Sequence, residues 1–561
     1  MRILNYLRQA VSNHSVFVGR LILLNFVIII LAIFFDIDLK AYHFKFNTIV
    51  IGSIITIGIS FVLAAVAELL PLPFRSVYKL IIYVFQGLLF VFEFFSLYMY
   101  DRTASLNMIT MILSTTFNEA CEYLQTYVLA PKGLIAIAIT VAIIFGAGKA
   151  AQKISVVFRK LSLLTVTVFI IASMVFTANT FKSGSCDFYG LLSVGSYVNN
   201  WWGVKKHLNR IAEAGYNLDH KDRRGIVSDG AANIVFIIGE STNKKHMGLY
   251  GYEAATNPLL GKRLAQKDLA LYSDVVSPYS FTMHSIISML TFRNHESGEM
   301  WQDRDSIIDI AKAAGYNTAW ISNQEEKSVY ATATTMLAGR AAETIFGEKF
   351  ASKKSGNVDG AILSNVKKSS LKTGKNFVFI HLMGTHVKYK SRYPKEFEVF
   401  SAADIKKNIS VEKKQTIAEY DNAVLYNDYI VNEIISYYDK QEAVVIYLSD
   451  HGQDVYDSSD DHAGHTKNKK NPLGFEIPFM IWLSPAFKAK YPDKVKAIYA
   501  AVDKPYMTDD IIHTIIDLAN IKGVAEYEES RSIINPKFNA QRKRIVDYDV
   551  DYDKDMDKIN K

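Results

Sequence analysis

The sequence predicts two bodies of different class: an α-helical membrane domain of five transmembrane helices, followed by a soluble α/β domain on a mostly parallel central sheet. Three observations carry this. Half of the 561 residues are hydrophobic, and before about residue 182 they gather into five long apolar runs. After Asn233, short β-type runs alternate with helical stretches. Those β-type runs are apolar almost throughout, as strands buried on both faces of a parallel sheet are.

The apolar runs are Leu21–Phe35, Phe46–Ala67, Leu80–Tyr100, Gly133–Gly148 and Leu161–Phe181, bounded by Arg20, Lys45, Lys79, Lys149 and Lys182. About 20 apolar residues cross a bilayer core, so the first and fourth runs are at the short end. Five in succession are rare in soluble domains. The first run lacks a small-residue cleavage site, which speaks against a signal peptide. Arg2, Arg8 and Arg20, together with Lys149, Lys153, Arg159 and Lys160, place the N-terminus and the loop between the fourth and fifth runs in the cytoplasm. Everything after Lys182 then lies across the membrane, in the periplasm of a bacterial cell with two membranes, and the protein sits in the inner one. The loop 101–132 faces the same side.

Cys121 in that loop and Cys186 after the fifth run are the two cysteines; a disulfide between them is left open. The net charge of +7 suits anionic membrane lipids, and no nucleic-acid partner is expected. Glu93 lies in the outer half of the third run, where a lone carboxylate costs roughly 3 kcal/mol. It reads as a functional candidate or, equally, as a structural partner for a neighbouring helix.

Residues 1–182 are thus the transmembrane domain and 183–231 a linker. There Trp201 and Trp202 beside Lys205, Lys206, His207 and Arg210 suggest a helix on the membrane surface or a plain tether. Residues 232–545 form the soluble domain, and 546–561 a charged tail expected to be disordered. Within the soluble domain NIVFII, NTAWIS, NFVFIHL, AVVIYLS and IPFMIWL read as strands, and SIIDIAKAAG and TIAEYDNAVLYNDYIVNEIISYY as amphipathic helices.

Functional residues of such a sheet belong at the carboxyl ends of its strands. AVVIYLS runs into Asp450 and His451, with Gly452 for a sharp turn, and NIVFIIG runs into Glu240. Two carboxylates and an imidazole suit zinc, with manganese as the alternative. Each alone serves as readily as a helix cap or salt-bridge partner. His386 follows NFVFIHLMGT, and His462 and His465 lie in DDHAGH. Thr282, in SPYSFTMHSIISML, falls near a helix start, where backbone amides and the dipole favour an alkoxide or a phosphate; it, or Ser280, also reads as a simple cap.

Four segments in order, GESTNKKHMGLYGYEAATNP, TMHSIISML, HLMGTH and YLSDHGQDVYD, resemble the phosphoethanolamine transferases of the alkaline-phosphatase and sulfatase superfamily, enzymes that modify lipid A, lipopolysaccharide core or other envelope acceptors. The resemblance implies an alkaline-phosphatase/sulfatase-like sandwich and a catalytic zinc held by Glu240, Thr282, Asp450 and His451, with Thr282 the nucleophile. It implies substrate-binding or second-metal roles for His386 and for a histidine of DDHAGH, His462 in preference to His465. In ISNQEEK, Asn323 and Lys327 correspond to a phosphate-side loop. Gln453 replaces a frequent Glu, so a second zinc is left open. Pro278 and Ser288 stand where several lipid A-modifying members have cysteines, which tilts the chain toward other branches.

The activity this implies is transfer of phosphoethanolamine from phosphatidylethanolamine to an envelope acceptor through a phosphothreonine. Glycerol-phosphate transfer of the lipoteichoic acid synthase kind and a non-catalytic membrane protein that kept the fold are the alternatives. The Cys/Ser-x-Pro-x-Arg signature of sulfatases is absent around Thr282.

Overall fold

The apolar runs all become helices. In a computed structural model, the described residues are 2–35, 46–100, 123–124, 128–183, 222–297, 301, 304–324, 333–347, 358–370, 372–466 and 470–556. Cys121, Cys186, Lys327 and linker residues 184–221 lie outside them. The chain divides into two units, Met1–Asn209 and Arg210–Lys561.

The first unit contains α1 (Arg2–Asn13), α2 (Ser15–Phe35), α3 (Phe46–Leu69), α4 (Leu72–Tyr100), α5 (Pro131–Arg159) and α6 (Leu163–Ser183). Among the described residues α2 to α5 are long and apolar enough to cross a membrane, and α6 is apolar over Leu163–Ala178. These five helices, α2 to α6, fall on the five expected apolar runs. The helix α1 was not foreseen: it buries Ala10 and Val11, and its Tyr6 hydroxyl donates to the Ala65 carbonyl of α3 at 3.0 Å. One core joins α2, α4 and α5 through Leu24, Ile28, Phe90, Phe94 and Ala136, and another joins α3 and α6 through Phe61, Ala64, Val166 and Ile170.

The second unit is built on seven strands: β1 (Asn233–Gly239), β2 (Leu269–Tyr272), β3 (Asn317–Ser322), β4 (Glu343–Phe346), β5 (Asn376–His381), β6 (Ala443–Ser449) and β7 (Phe479–Leu483). Their spatial order is β2-β7-β6-β1-β5-β3-β4. The pairings among β6, β1, β5, β3 and β4 are parallel, while β7 runs antiparallel to both β6 and β2. The sheet is therefore mostly parallel but mixed, and IPFMIWL is its reversed strand. Every residue of β1, β5, β6 and β7 is buried, as continuous apolar runs require.

Alternate residues serve opposite faces. Val235, Ile237, Val445 and Tyr447 pack under the long helix Val411–Ser436 with its Tyr420, Ile430 and Ile434. On the other face Phe236 meets Phe379 edge-on at 6.4 Å, and Phe379 stacks on Phe377 at 4.4 Å and on Trp320 at 6.0 Å. Register then sets the site. Gly239 pairs with Ser449 and Ile238 with His381, so Glu240, Asp450 and the residues after β5 leave three adjacent parallel strands at one level.

The charged tail is not disordered over its described part. Ile545–Val546 and Val550–Asp551 form a hairpin. Arg544 bonds Asp274 at 2.6 Å and pairs with Asp553, and the Tyr552 hydroxyl donates to Glu476 at 2.9 Å. Asp553, one of the acidic residues that suggested solvation, is thus a partner of Arg544.

Candidate active site

Glu240, Asp450 and His451 converge, with one ligand atom of each within 4.8 Å of the others, and all three side chains are buried. After Glu240 the chain bends through Ser241, which holds a left-handed φ of 57°. The bend is fixed by the Tyr420 hydroxyl, which donates to the Ser241 carbonyl at 2.8 Å, and by the Thr385 hydroxyl, 2.9 Å from that carbonyl and 3.0 Å from that of Glu240. Strain of this kind persists only where the surroundings over-determine it.

Asp450 Oδ1 accepts from the amides of Ser241 and His451 at 3.0 and 2.7 Å, so one carboxylate oxygen is spent on the loops. Its Oδ2 is buried without a hydrogen-bond partner and faces His451 Nε2 at 3.5 Å. His451 Nδ1 donates to the Gly452 carbonyl at 2.7 Å, which aims Nε2 at Glu240 Oε1, 3.4 Å away. Gly452 serves close approach here: a Cβ would lie 2.1 Å from the Leu473 carbonyl oxygen.

Thr282 is the first residue of α7 (Thr282–Leu290), and Phe281 is the N-cap, with no side-chain cap bond. The reading of Thr282 as a cap is overturned. Its hydroxyl instead donates to Glu240 Oε2 at 3.1 Å and lies 3.4 Å from His451 Nε2. The helix begins where a phosphate on that oxygen would meet free amides.

The electrostatics call for a cation. Burial and the neighbouring Glu240 push Asp450 up to about 7. Burial also opposes the charge on Glu240, but the contact with His451, the His451 charge and His386 hold it well below the usual carboxylate range. His451, despite its burial, is held up to about 9 by Asp450 and Glu240. Two carboxylates thus compete for one proton-bearing imidazole. With an unpartnered Asp450 oxygen among N and O donors, the set fits a divalent metal such as zinc.

The remaining sequence candidates separate. His465 is half-buried, with its ring 4.8 Å from that of His451 and Nδ1 3.2 Å from the Ser280 carbonyl; desolvation, then the charge of His451, drive it down to about 3. The structure sets this ring, not the preferred His462, against the site: His462 Nε2 turns to the His465 carbonyl at 2.6 Å. His386 Nδ1 is buried with no hydrogen-bond partner, and its charge acts on Glu240. Asn323 donates to Asp359 at 2.9 Å, and Asp359 in turn accepts from the amides of Met383 and Gly384. It braces the loop behind Glu240. Glu93 is buried in the membrane unit, on the side of α4 that carries Phe90 and Leu97.

Three residues escaped the sequence reading. Gln324 Nε2 is 3.2 Å from Glu240 Oε2, from His381 Nε2 and from the Leu382 carbonyl, and burial keeps His381 neutral by lowering it to about 4. Ser277 donates to the Asp450 carbonyl at 2.6 Å, which ties the loop before α7 to the loop that carries Asp450 and His451. Gln324 and His381 sit inside two of the quoted motifs, ISNQEEK and HLMGTH; Ser277 carried no signal.

A family model for sulfatases matches residues 232–521. Phosphoethanolamine transferase EptC of Escherichia coli K12 is 26% identical over 482 residues, which cover 80% of this chain and 82% of EptC. Kdo(2)-lipid A phosphoethanolamine 7''-transferase of the same strain is 29% identical over 260 residues, 45% of this chain and 44% of its own. The crystal structure of the C-terminal periplasmic domain of E. coli EptC in complex with Zn superposes with a TM-score of 0.54 at 27% identity, over 59% of this chain and 96% of that one. The integral membrane phosphoethanolamine transferase A of Neisseria meningitidis shares the fold, with a TM-score of 0.61 at 17% identity, over 94% of this chain and 98% of that one.

Proposed function

The chain belongs to the sulfatase family, whose match spans half of it, and on that premise we propose that it transfers phosphoethanolamine from phosphatidylethanolamine to an envelope glycolipid, the core or lipid A part of lipopolysaccharide. One observation carries the reading: a hydroxyl at a helix N-terminus, Thr282, aimed into a buried Glu240–Asp450–His451 cluster. The relatives named for phosphoethanolamine transfer, and the apolar helices that would keep the domain beside its lipids, support it.

Thr282 Oγ1 attacks the headgroup phosphorus; a P–O bond to threonine forms, the P–O bond to diacylglycerol breaks, and the threonine proton leaves with the alcohol. An acceptor hydroxyl or phosphate oxygen then attacks the phosphothreonine and restores the hydroxyl. Zinc held by Glu240, Asp450, His451 and the Thr282 oxygen would supply the positive charge that favours the alkoxide and offsets charge developing on phosphorus. The amides at the start of α7 face the phosphoryl oxygens, and His386 and His465 line the approach as substrate-binding groups. The soluble domain works on the periplasmic side of the inner membrane, with the N-terminus cytoplasmic.

The test is mass spectrometry of the purified chain after incubation with zinc and phosphatidylethanolamine. A phosphoethanolamine adduct on the Thr282 peptide, absent in Thr282→Ala, is the expected result. A glycerol-phosphate adduct, or none with zinc bound, would defeat the donor assignment.

A further inference from the structure

The C-terminal hairpin ends beside the nucleophile loop. Between its strands Asp547 and Tyr548 both take left-handed backbone, with φ of 47° and 76°. The tip is three residues long, Asp547 to Asp549, and left-handed positions in such tips ordinarily fall to glycine or asparagine. A tyrosine in the second position is strained, because its Cβ crowds the backbone carbonyl.

That strain presents one ring. Tyr548 is 50% exposed, and it meets Tyr279 edge-on at 5.2 Å and His284 at 6.3 Å. Tyr279 and His284 in turn contact Phe281, the residue before Thr282, at 5.9 and 4.8 Å. The Asp547 amide donates to the Pro278 carbonyl at 3.0 Å, which fixes the tip to the same loop. His284 Nδ1 is buried in this cluster with no hydrogen-bond partner. Arg293 lies near enough to act on Tyr279, His284 and Tyr548.

An aromatic ring held half in water at the expense of backbone strain is poorly explained as packing, since glycine would close this turn more readily. Its chemistry is that of a stacking platform: the C–H face of a pyranose carries partial positive charge and lies on the negative face of a π-system. A neighbouring guanidinium suits phosphate or carboxylate groups on such a sugar.

We propose that Tyr548, backed by Tyr279 and His284 and flanked by Arg293, is the platform on which a sugar ring of the acceptor stacks while the acceptor oxygen approaches Thr282. The inference rests on the transferase reading above and adds to it a specificity residue for the second substrate, carried by a segment that composition alone marks as a tail.

The full chain in phosphatidylethanolamine proteoliposomes, with zinc and core-bearing lipopolysaccharide as the acceptor, separates the two. For Tyr548→Gly we expect a melting temperature equal to or a few degrees above wild type, because the left-handed position is relieved. Adduct formation on Thr282 proceeds at the wild-type rate, and KM for lipopolysaccharide rises about three- to tenfold, the range of a single ring contact. Tyr548→Phe keeps the wild-type KM. Absence of the adduct in wild type defeats the transferase reading itself. With the adduct present, any of the following overturns the platform alone: no wild-type transfer to lipopolysaccharide, an unchanged KM in Tyr548→Gly, a lowered melting temperature in that variant, or slowed adduct formation.

Discussion

At His246 the fold encloses a charge. Its Nδ1 lies 2.7 Å from Asp421 Oδ1 and its Nε2 3.2 Å from Asp457 Oδ2, and a ring whose two nitrogens both face carboxylates must donate from both. The Tyr252 hydroxyl donates to the other oxygen of Asp421, Oδ2, at 2.9 Å, and the Asn243 side-chain amide donates to the same Asp457 Oδ2 at 3.1 Å. Burial opposes the imidazolium, but Asp457 and Asp421 outweigh it and raise its pKa to about 10. The three residues join the segment after β1, the long helix Val411–Ser436 and the loop after β6, so this ion cluster locks together the two segments that carry Glu240 and Asp450. In the unfolded chain the histidine returns to about 6.5. A folded pKa above the unfolded one means stability that is fully present below pH 6.5 and is lost as the pH rises through 10. His246→Gln should therefore cost about 3–5 kcal/mol at pH 6, and the penalty should shrink steadily toward pH 10. Denaturant unfolding of both proteins across that range, followed by tryptophan fluorescence, checks it; a penalty independent of pH would show that the histidine is neutral.

Among the elements, the loop after β6 shows why some of this site was legible in the sequence and some was not. The five longest strands were readable because burial on both faces leaves an unbroken apolar run, and the ligands were readable because parallel strands deliver their functional residues at one end. The edge strands LALY and ETIF were missed: four residues are too short to stand out as a strand, and ETIF is partly exposed on both faces. The antiparallel direction of β7 was also invisible, since strand direction is set by connections and not by composition. Gln324 and Ser277 act through hydrogen bonds to residues 84 and 173 positions away, a relation that no local pattern encodes. Gly452 was expected for its turn, yet its necessity is steric: an added Cβ would also meet the Glu476 carbonyl oxygen at 2.7 Å. Gly452→Ala should push the 450–452 loop off the 472–476 segment, with about 1–3 kcal/mol of destabilisation and a loss of zinc affinity out of proportion to it. Calorimetric zinc titration beside an unfolding curve measures both, and unaltered zinc binding would mean that the loop gives way without moving Asp450 or His451.

For the molecule as a whole, the division at Asn209 and Arg210 separates two kinds of stability. The second unit carries its own sheet and its own core, and all of the residues assigned to the metal lie within it. A fragment starting at Arg210 should therefore unfold in one cooperative transition. Zinc at about 100 times its dissociation constant should stabilise that fragment by about 2.7 kcal/mol, since the unfolded chain cannot bring the donors together. Glu240→Gln should abolish most of this gain. The fragment should also form the Thr282 adduct from a short-chain, water-soluble phosphatidylethanolamine. Vesicle-borne donor is a different matter. The apolar helices make the encounter with bilayer lipid effectively intramolecular, and such tethering contributes about a hundredfold or more. The freed fragment should accordingly react with vesicle phosphatidylethanolamine at least about a hundredfold more slowly than the full chain, while the two match on the soluble donor. Equal rates on vesicles would assign the membrane helices a role other than bringing the site to its lipid, and would return attention to the buried Glu93 as a group acting within them.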